Sequence, residues 1–303
     1  MSFEAPRVVD GPAVSELAAP SSEAPDPDAL DWAALALPDP AGQGARIARA
    51  LADARRGRWS GETALGRPRP GEPTLFDGAV AVRHARQRCH LPRYQHAPLD
   101  HPHIALAEEL VANWPGGQEL VRGVVDTFNP LLDREVPPEK WAFATGSASH
   151  FDTYRFGVIY ATIFDPFGLA QAFVHEAAHQ KLFGLGVLIE GADRIVRNDP
   201  ARLYPSPIVL DRPRPMTAVL HAEFSFIHVT ELELRLLDAF ADRPDERPQA
   251  VLRAFLARNV ARLGPGLETV KSAIETDAAG DQFVGAFVDW AADVLDRARS
   301  VLA

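Results

Sequence analysis

The stretch DPFGLAQAFVHEAAHQKLFGLGVL, residues 165–188, decides the architecture. Asp165 followed by Pro166 reads as an N-cap and a first helical residue: a carboxylate accepts from the free N–H groups of a first turn, and proline has no N–H to leave unpaired. From there a helix is predicted to run to about Leu188. It is apolar nearly all round, through Leu169, Phe173, Val174, Ala177, Ala178, Leu182 and Phe183. A helix without a polar face has to be covered on every side, so this one is expected at the centre of the molecule. His175 and His179 stand four residues apart in it, with Glu176 beside the first. Positions i and i+4 lie one above the other on a helix, so both imidazoles can reach one metal ion. Two buried histidines next to a buried glutamate are costly unless paired or ligated, which favours a metal over histidines that merely bond to carbonyls.

Upstream of this helix, the segment YRFGVIYATI (154–163) places Tyr154, Phe156, Val158, Tyr160 and Thr162 on one face, and Trp141, Phe143 and Thr145 alternate before the turn-prone GSASHFD. A hairpin or small sheet is predicted. Its second strand enters the helix through only Phe164, Asp165 and Pro166, so one end lies close to the metal; its edge is either open to main-chain pairing with a peptide or already paired on both sides within the sheet. Downstream, a second long helix is predicted from about Met216 to about Phe240, carrying LHAEFSFIHVTELELRL. If the two helices pack side by side, the start of the second faces the middle of the first. A catalytic metal needs a third protein ligand and open positions. His221 is the first choice for that ligand and Glu223 the second, while His228 reads as a core histidine and Glu231 and Glu233 as solvated charges.

Further helices are predicted at 45–56, at 104–114 and 119–132 as a hairpin, and between Glu246 and Leu302 as two or three segments broken at Gly264 to Gly266. The expected fold is α+β and mainly α-helical: a small β-sheet or hairpin leads into the buried HExxH helix, which packs against the second long helix. Residues 1–44, rich in Pro and Ala, are read as a partly mobile segment in which Leu30 to Leu37 docks on the body. Residues 45–303 are read as a single catalytic domain.

Composition narrows the function. In 303 residues, 31 Lys+Arg against 41 Asp+Glu leave a net charge of −10, so no electrostatic footprint for nucleic acid is present. No apolar run approaches a membrane span, and the start MSFEAPRVVDGP lacks the basic and apolar parts of a secretory signal. The single cysteine, Cys89, excludes an intrachain disulfide and a thiolate zinc cluster and reads as structural. A cytoplasmic location is expected. The oligomeric state is left open.

The segments FVHEAAHQKLFGL (173–185) and YPSPIVLDRPRPMTAVLHAEFSF (204–226) resemble the HExxH-motif peptide-modification proteins encoded beside ribosomally made peptide natural products. The shared features are the Tyr/Ser-Pro segment, the Asp and Arg-Pro cluster, and a small-x-x-His start to the following helix. The resemblance implies an Fe(II) and 2-oxoglutarate dependent oxygenase that uses O2 to hydroxylate the β-carbon of a residue in a ribosomal precursor peptide. It implies His175, His179 and His221 on the metal. The distal carboxylate of 2-oxoglutarate needs a cation in a dry pocket, and Arg214, with Arg212 in reserve, stands a few residues before His221. Glu176 would then orient a ligand or the substrate. Two further readings stay open: a zinc metallopeptidase, in which Glu176 is the general base on a metal-bound water, and a non-catalytic peptide-binding protein. The protease reading lacks a third histidine six residues after His179, where Gly184 to Gly186 stand.

Overall fold

The computed structural model describes residues 25–55, 68–84, 93–143, 146–152, 155–243 and 246–303. Cys89, Thr145, Tyr154 and the first 24 residues of the N-terminal segment lie outside the described residues. The fold is α+β and mainly helical. It opens with α1 (Trp32–Ala36), α2 (Gln43–Ala54) and the short strands β1 (Thr74–Leu75), β2 (Val80–Val82) and β3 (Tyr94–His96). Then come α3 (Pro102–Ala112), α4 (Pro115–Val124), β4 (Thr127–Asp133), β5 (Ser149–Phe151), β6 (Val158–Thr162) and α5 (Pro166–Gly184). The short strands β7 (Val187–Leu188), β8 (Gly191–Ala192), β9 (Leu203–Tyr204) and β10 (Arg214–Pro215) precede α6 (Met216–Ala239), α7 (Arg247–Ala273) and α8 (Ala278–Leu302).

The main sheet runs β1-β2-β4-β6-β5, with β3 also on β4. One face carries Phe128, Ile159 and Ala161 into the large core, where Phe128 meets Phe173 of α5 edge to face with centroids 4.8 Å apart. The Asp165 carboxylate caps α5 as its position predicts, accepting from the Phe167 N–H at 3.0 Å. It also accepts from the Gly146 N–H at 2.7 Å, which ties the turn before β5 to the start of the helix. From Gly168 to Val187 every residue but His175 and His179 is buried, so the helix is central as its composition requires. α6 packs along it, and α7 and α8 close the far side of α6. The N-terminal stretch docks as expected, with Trp32, Leu35 and Ala36 of α1 buried against α8. Among the described residues no helix is long and apolar enough to cross a membrane.

Several elements differ from the sequence reading. The helix expected over 119–132 stops at Val124, and Thr127–Asp133 is a strand buried along its whole length. The mixed sequence TFNPLLD has no clear period of two because both faces of the strand are covered, and Pro130 opposes a helix there. Trp141 and Phe143 belong to a 3-10 turn, Pro138–Phe143, in which the Trp141 indole donates to the Val136 carbonyl at 2.9 Å. β6 begins only at Val158, because Gly157 has φ +84°. It is paired on both sides, parallel to β4 and antiparallel to β5, so its edge is not open; β5 ends the sheet. α5 stops at Gly184, and Val187–Leu188 turn back to pair with β8.

The break expected at Gly264 to Gly266 does not occur either. α7 passes straight through with Pro265 inside it, and the chain breaks instead before Asp277, whose carboxylate caps α8. Gly266 serves close packing: a Cβ there would overlap the Glu223 carboxyl and come within 2.8 Å of Pro207. Glu231 and Glu233, expected in solvent, are buried. Glu231 is held by Arg235 at 2.8 Å and by Arg297, and Glu233 accepts from Gln171 and Asn259 at 3.0 Å. Their ELEL alternation misleads because α7 and α8 cover faces of α6 that a lone helix would leave wet.

Gly184 sets how closely α5 approaches α2. A Cβ on Gly184 would stand 2.5 Å from the Ala48 carbonyl oxygen and 2.9 Å from its carbon, and backbone cannot move aside as a side-chain tip can. Gly184→Ala should therefore destabilise the protein by about 1–3 kcal/mol despite the better helix propensity of alanine. Urea denaturation checks this, and an unchanged or raised midpoint would show that the helices can separate freely.

Candidate metal centre

His175, His179 and His221 are brought together. Nε2 of His175 lies 3.1 Å from Nε2 of His179, and Nδ1 of His179 lies 2.9 Å from Nδ1 of His221. The other nitrogen of His221, Nε2, is 2.8 Å from the Val187 carbonyl, where the chain turns back after α5. A carbonyl only accepts, so His221 carries its proton on Nε2 and presents a lone pair at Nδ1. His179 then donates from Nδ1 and presents a lone pair at Nε2, toward His175. All three rings are neutral at pH 7. Burial pushes His175 and His221 down to about 4 and His179 well below its ordinary value; His221 lowers His175 further, and each of its two neighbours lowers His179. Neutral imidazole is the form that binds metal.

Two nitrogens bound to one ion at about 2.0–2.1 Å stand roughly 3 Å apart. The His175 and His179 Nε2 pair already has that spacing, so these residues fit a metal without rearrangement. His221 is different as the rings stand. It meets His179 on the opposite nitrogen, and among the described residues no three His, Cys, Asp or Glu side chains converge on one point. The contact gives His221 two possible parts: third ligand through Nδ1, with Val187 fixing its ring, or outer partner that orients His179.

Glu176 is buried and turned toward β5. Its Oε1 accepts from the Ser149 hydroxyl at 2.6 Å and lies 3.9 Å from His175 Nε2, while its Oε2 has no partner. Burial pushes the carboxyl up to about 8, against the pull of the Ser149 hydroxyl and the Phe151 N–H. Phe151 stacks on His179 with centroids 5.3 Å apart, and Phe226 meets His175 edge to face at 4.7 Å. Ser149, Phe151, Phe226 and the Val187 carbonyl escaped sequence reading. Alternation in SHF was the available signal for the first two, masked by the turn-forming residues around them.

The other candidates lie elsewhere. Glu223 is fully buried on the side of α6 that faces Gly266 and Pro207, and neither of its oxygens has a partner. His228 is a core residue as expected: Nδ1 is 2.7 Å from the Phe224 carbonyl and the ring packs on Trp290. Arg214 is half-buried in β10, seven residues before His221, and Arg212 is exposed in the loop before it. Neither guanidinium has a hydrogen-bond or ion-pair partner among the described residues. No protein-family model matches this chain, and no curated protein does.

Metal content after purification tests the histidines. His175→Ala and His179→Ala should each abolish stoichiometric metal, and His221→Ala should do the same if it is a ligand. A His221→Ala protein that still binds metal, about 10–100-fold more weakly, would make it the outer partner of His179.

Burial holds the Glu223 carboxyl well above its ordinary 4.5, so the folded protein keeps a proton that the unfolded chain releases. The stability from that group is complete below pH 4.5 and is lost as pH rises. Relative to Glu223→Gln, the wild-type protein should therefore lose ground between pH 5 and 8, by up to about 1.4 kcal/mol per pH unit. A stability difference that is flat over this range would show that Glu223 ionises normally.

Proposed function

We propose that this chain is an Fe(II) and 2-oxoglutarate dependent oxygenase that hydroxylates a side chain, at its β-carbon, in a ribosomally made precursor peptide in the cytoplasm. The observation that carries the reading against a peptidase is the setting of Glu176. Its Oε1 is tied to the Ser149 hydroxyl, so the carboxyl links β5 to α5 and only Oε2 is left for a water. The resemblance at 173–185 and 204–226 supports the same reading.

His175 and His179 would hold the iron through Nε2, with His221 completing the set through Nδ1. Neutral nitrogen ligands suit Fe(II) and leave positions open for a chelating cosubstrate. Iron with 2-oxoglutarate and O2 would supply the oxidising chemistry, one oxygen atom going to the peptide C–H bond and the other to succinate, with release of CO2. Arg214, half-buried and without a counter-ion, would bind the distal carboxylate of 2-oxoglutarate, with exposed Arg212 the weaker candidate. Phe151 and Phe226 keep water from the rings they cover. Glu176 would hold β5 in place against α5.

The zinc peptidase reading is favoured by one observation, the unpartnered Oε2 of Glu176. A divalent ion beside it would draw its pKa down and free it to act as a base.

Expressing a candidate precursor peptide with the protein and weighing it decides the matter, together with 2-oxoglutarate turnover to succinate by the iron-loaded protein. The mass gain of one oxygen atom and stoichiometric succinate are expected; a cleaved peptide without succinate would establish the peptidase. Glu176→Gln should keep hydroxylation within about tenfold of wild type, whereas a peptidase would lose roughly 10²–10⁴-fold.

A further inference from the structure

Among the described residues, partly exposed strips of α5, α6 and β5 meet at the candidate metal centre, and aromatic rings frame it. Along α5 from Gly168 onward only His175 and His179 are not buried, and between Met216 and Leu234 of α6 only Ala218, Ala222 and Phe226 are not. The last three are four apart and form one stripe. The two strips meet, since Phe226 lies against His175 and His221 against His179. β5 forms the third side, with Ser149 and Phe151 half-buried and Phe151 stacked on His179. The His175 side chain, 19% exposed, stands beside the Phe226 ring, and Phe151 lies on the neighbouring His179. Arg214 stands in β10, just before α6 begins.

We propose that Phe226, with Phe151 opposite, determines substrate specificity by receiving an apolar, preferably aromatic, side chain beside His175. The proposal rests on the metal-centre reading and deepens it. The partly exposed side chains around the histidines, Phe151, Phe226, Ala218 and Ala222, offer rings and methyl groups, which reward an aromatic side chain in edge-to-face or offset contact. Glu176, whose Oε1 lies 3.9 Å from His175 and is held by Ser149, is buried, so it offers a cationic side chain no exposed counter-charge.

Hydroxamates chelate Fe(II), Zn and Co(II) alike, so they probe the site whichever chemistry the centre performs. The test uses the full chain loaded with Co(II), whose visible spectrum reports binding, and compares benzohydroxamate with acetohydroxamate. Wild-type protein should bind the aryl compound about tenfold more tightly. In Phe226→Ala the preference should fall below about twofold, and in Phe226→Leu, which keeps most of the packing, to about threefold, with cobalt content unchanged in both. Cobalt uptake with no aryl preference in the wild type, or with the preference intact in Phe226→Ala or Phe226→Leu, overturns the specificity assignment and leaves the metal centre standing. A wild-type chain that takes up no cobalt overturns both.

Discussion

A helix with no face for water governs this structure. α5 can exist only if other elements surround it, and each polar side chain it carries must then find a partner among those elements. The partners are distributed one to each neighbour. Glu176 is bonded to Ser149 of β5, Gln180 to the Gly157 N–H at the start of β6, Gln171 to Glu233 of α6, and Lys181 to the Leu37 carbonyl after α1. These bonds fix the rotation and axial position of the helix against four elements at once. Apolar contact alone would leave both adjustable, because packing between smooth apolar surfaces is tolerant of small shifts.

α6 solves the same problem less completely. Glu231 and Glu233 are each held by two side chains, Glu231 by arginines and Glu233 by amides. Glu223 and the Nε2 of His228 have no hydrogen-bond partner among the described residues. A buried carboxyl without a cation beside it is tolerable mainly because it can keep its proton, and the elevation of Glu176, Glu223 and Glu233 by burial expresses this. The depressed histidines are the basic counterpart. Burial removes charge from these carboxyls and imidazoles alike, while Lys181, pushed down to about 8, keeps its proton at pH 7.

The neutrality of the histidines bears directly on chemistry. Imidazoles without protons to lose have lone pairs to offer, and they suffer no repulsion from one another when spaced for a common ion. The Val187 carbonyl propagates this order, because one fixed acceptor determines which nitrogen carries the proton on His221 and then on His179. A short turn after the helix thus sets the tautomers of residues on two helices.

The sequence by itself determined the elements whose signals are local or strongly periodic. Asp165 and Pro166 marked the start of α5, uniform apolarity marked its central place, and the i, i+4 spacing put His175 and His179 on one face. The span of α6 was legible within a residue at either end, and with it His221 as the partner from a second helix. What depends on neighbours was not legible. Whether 127–133 is strand or helix rests on ladder bonds to β6, and whether β6 is an edge rests on where β5 lies. Whether Glu231 and Glu233 meet water rests on the cover supplied by α7 and α8, and the continuity of α7 through Pro265 rests on its contact with α6. Only the tertiary structure could place Ser149 on Glu176 or Val187 on His221, since these contacts span 27 and 34 residues and no periodicity extends across such gaps.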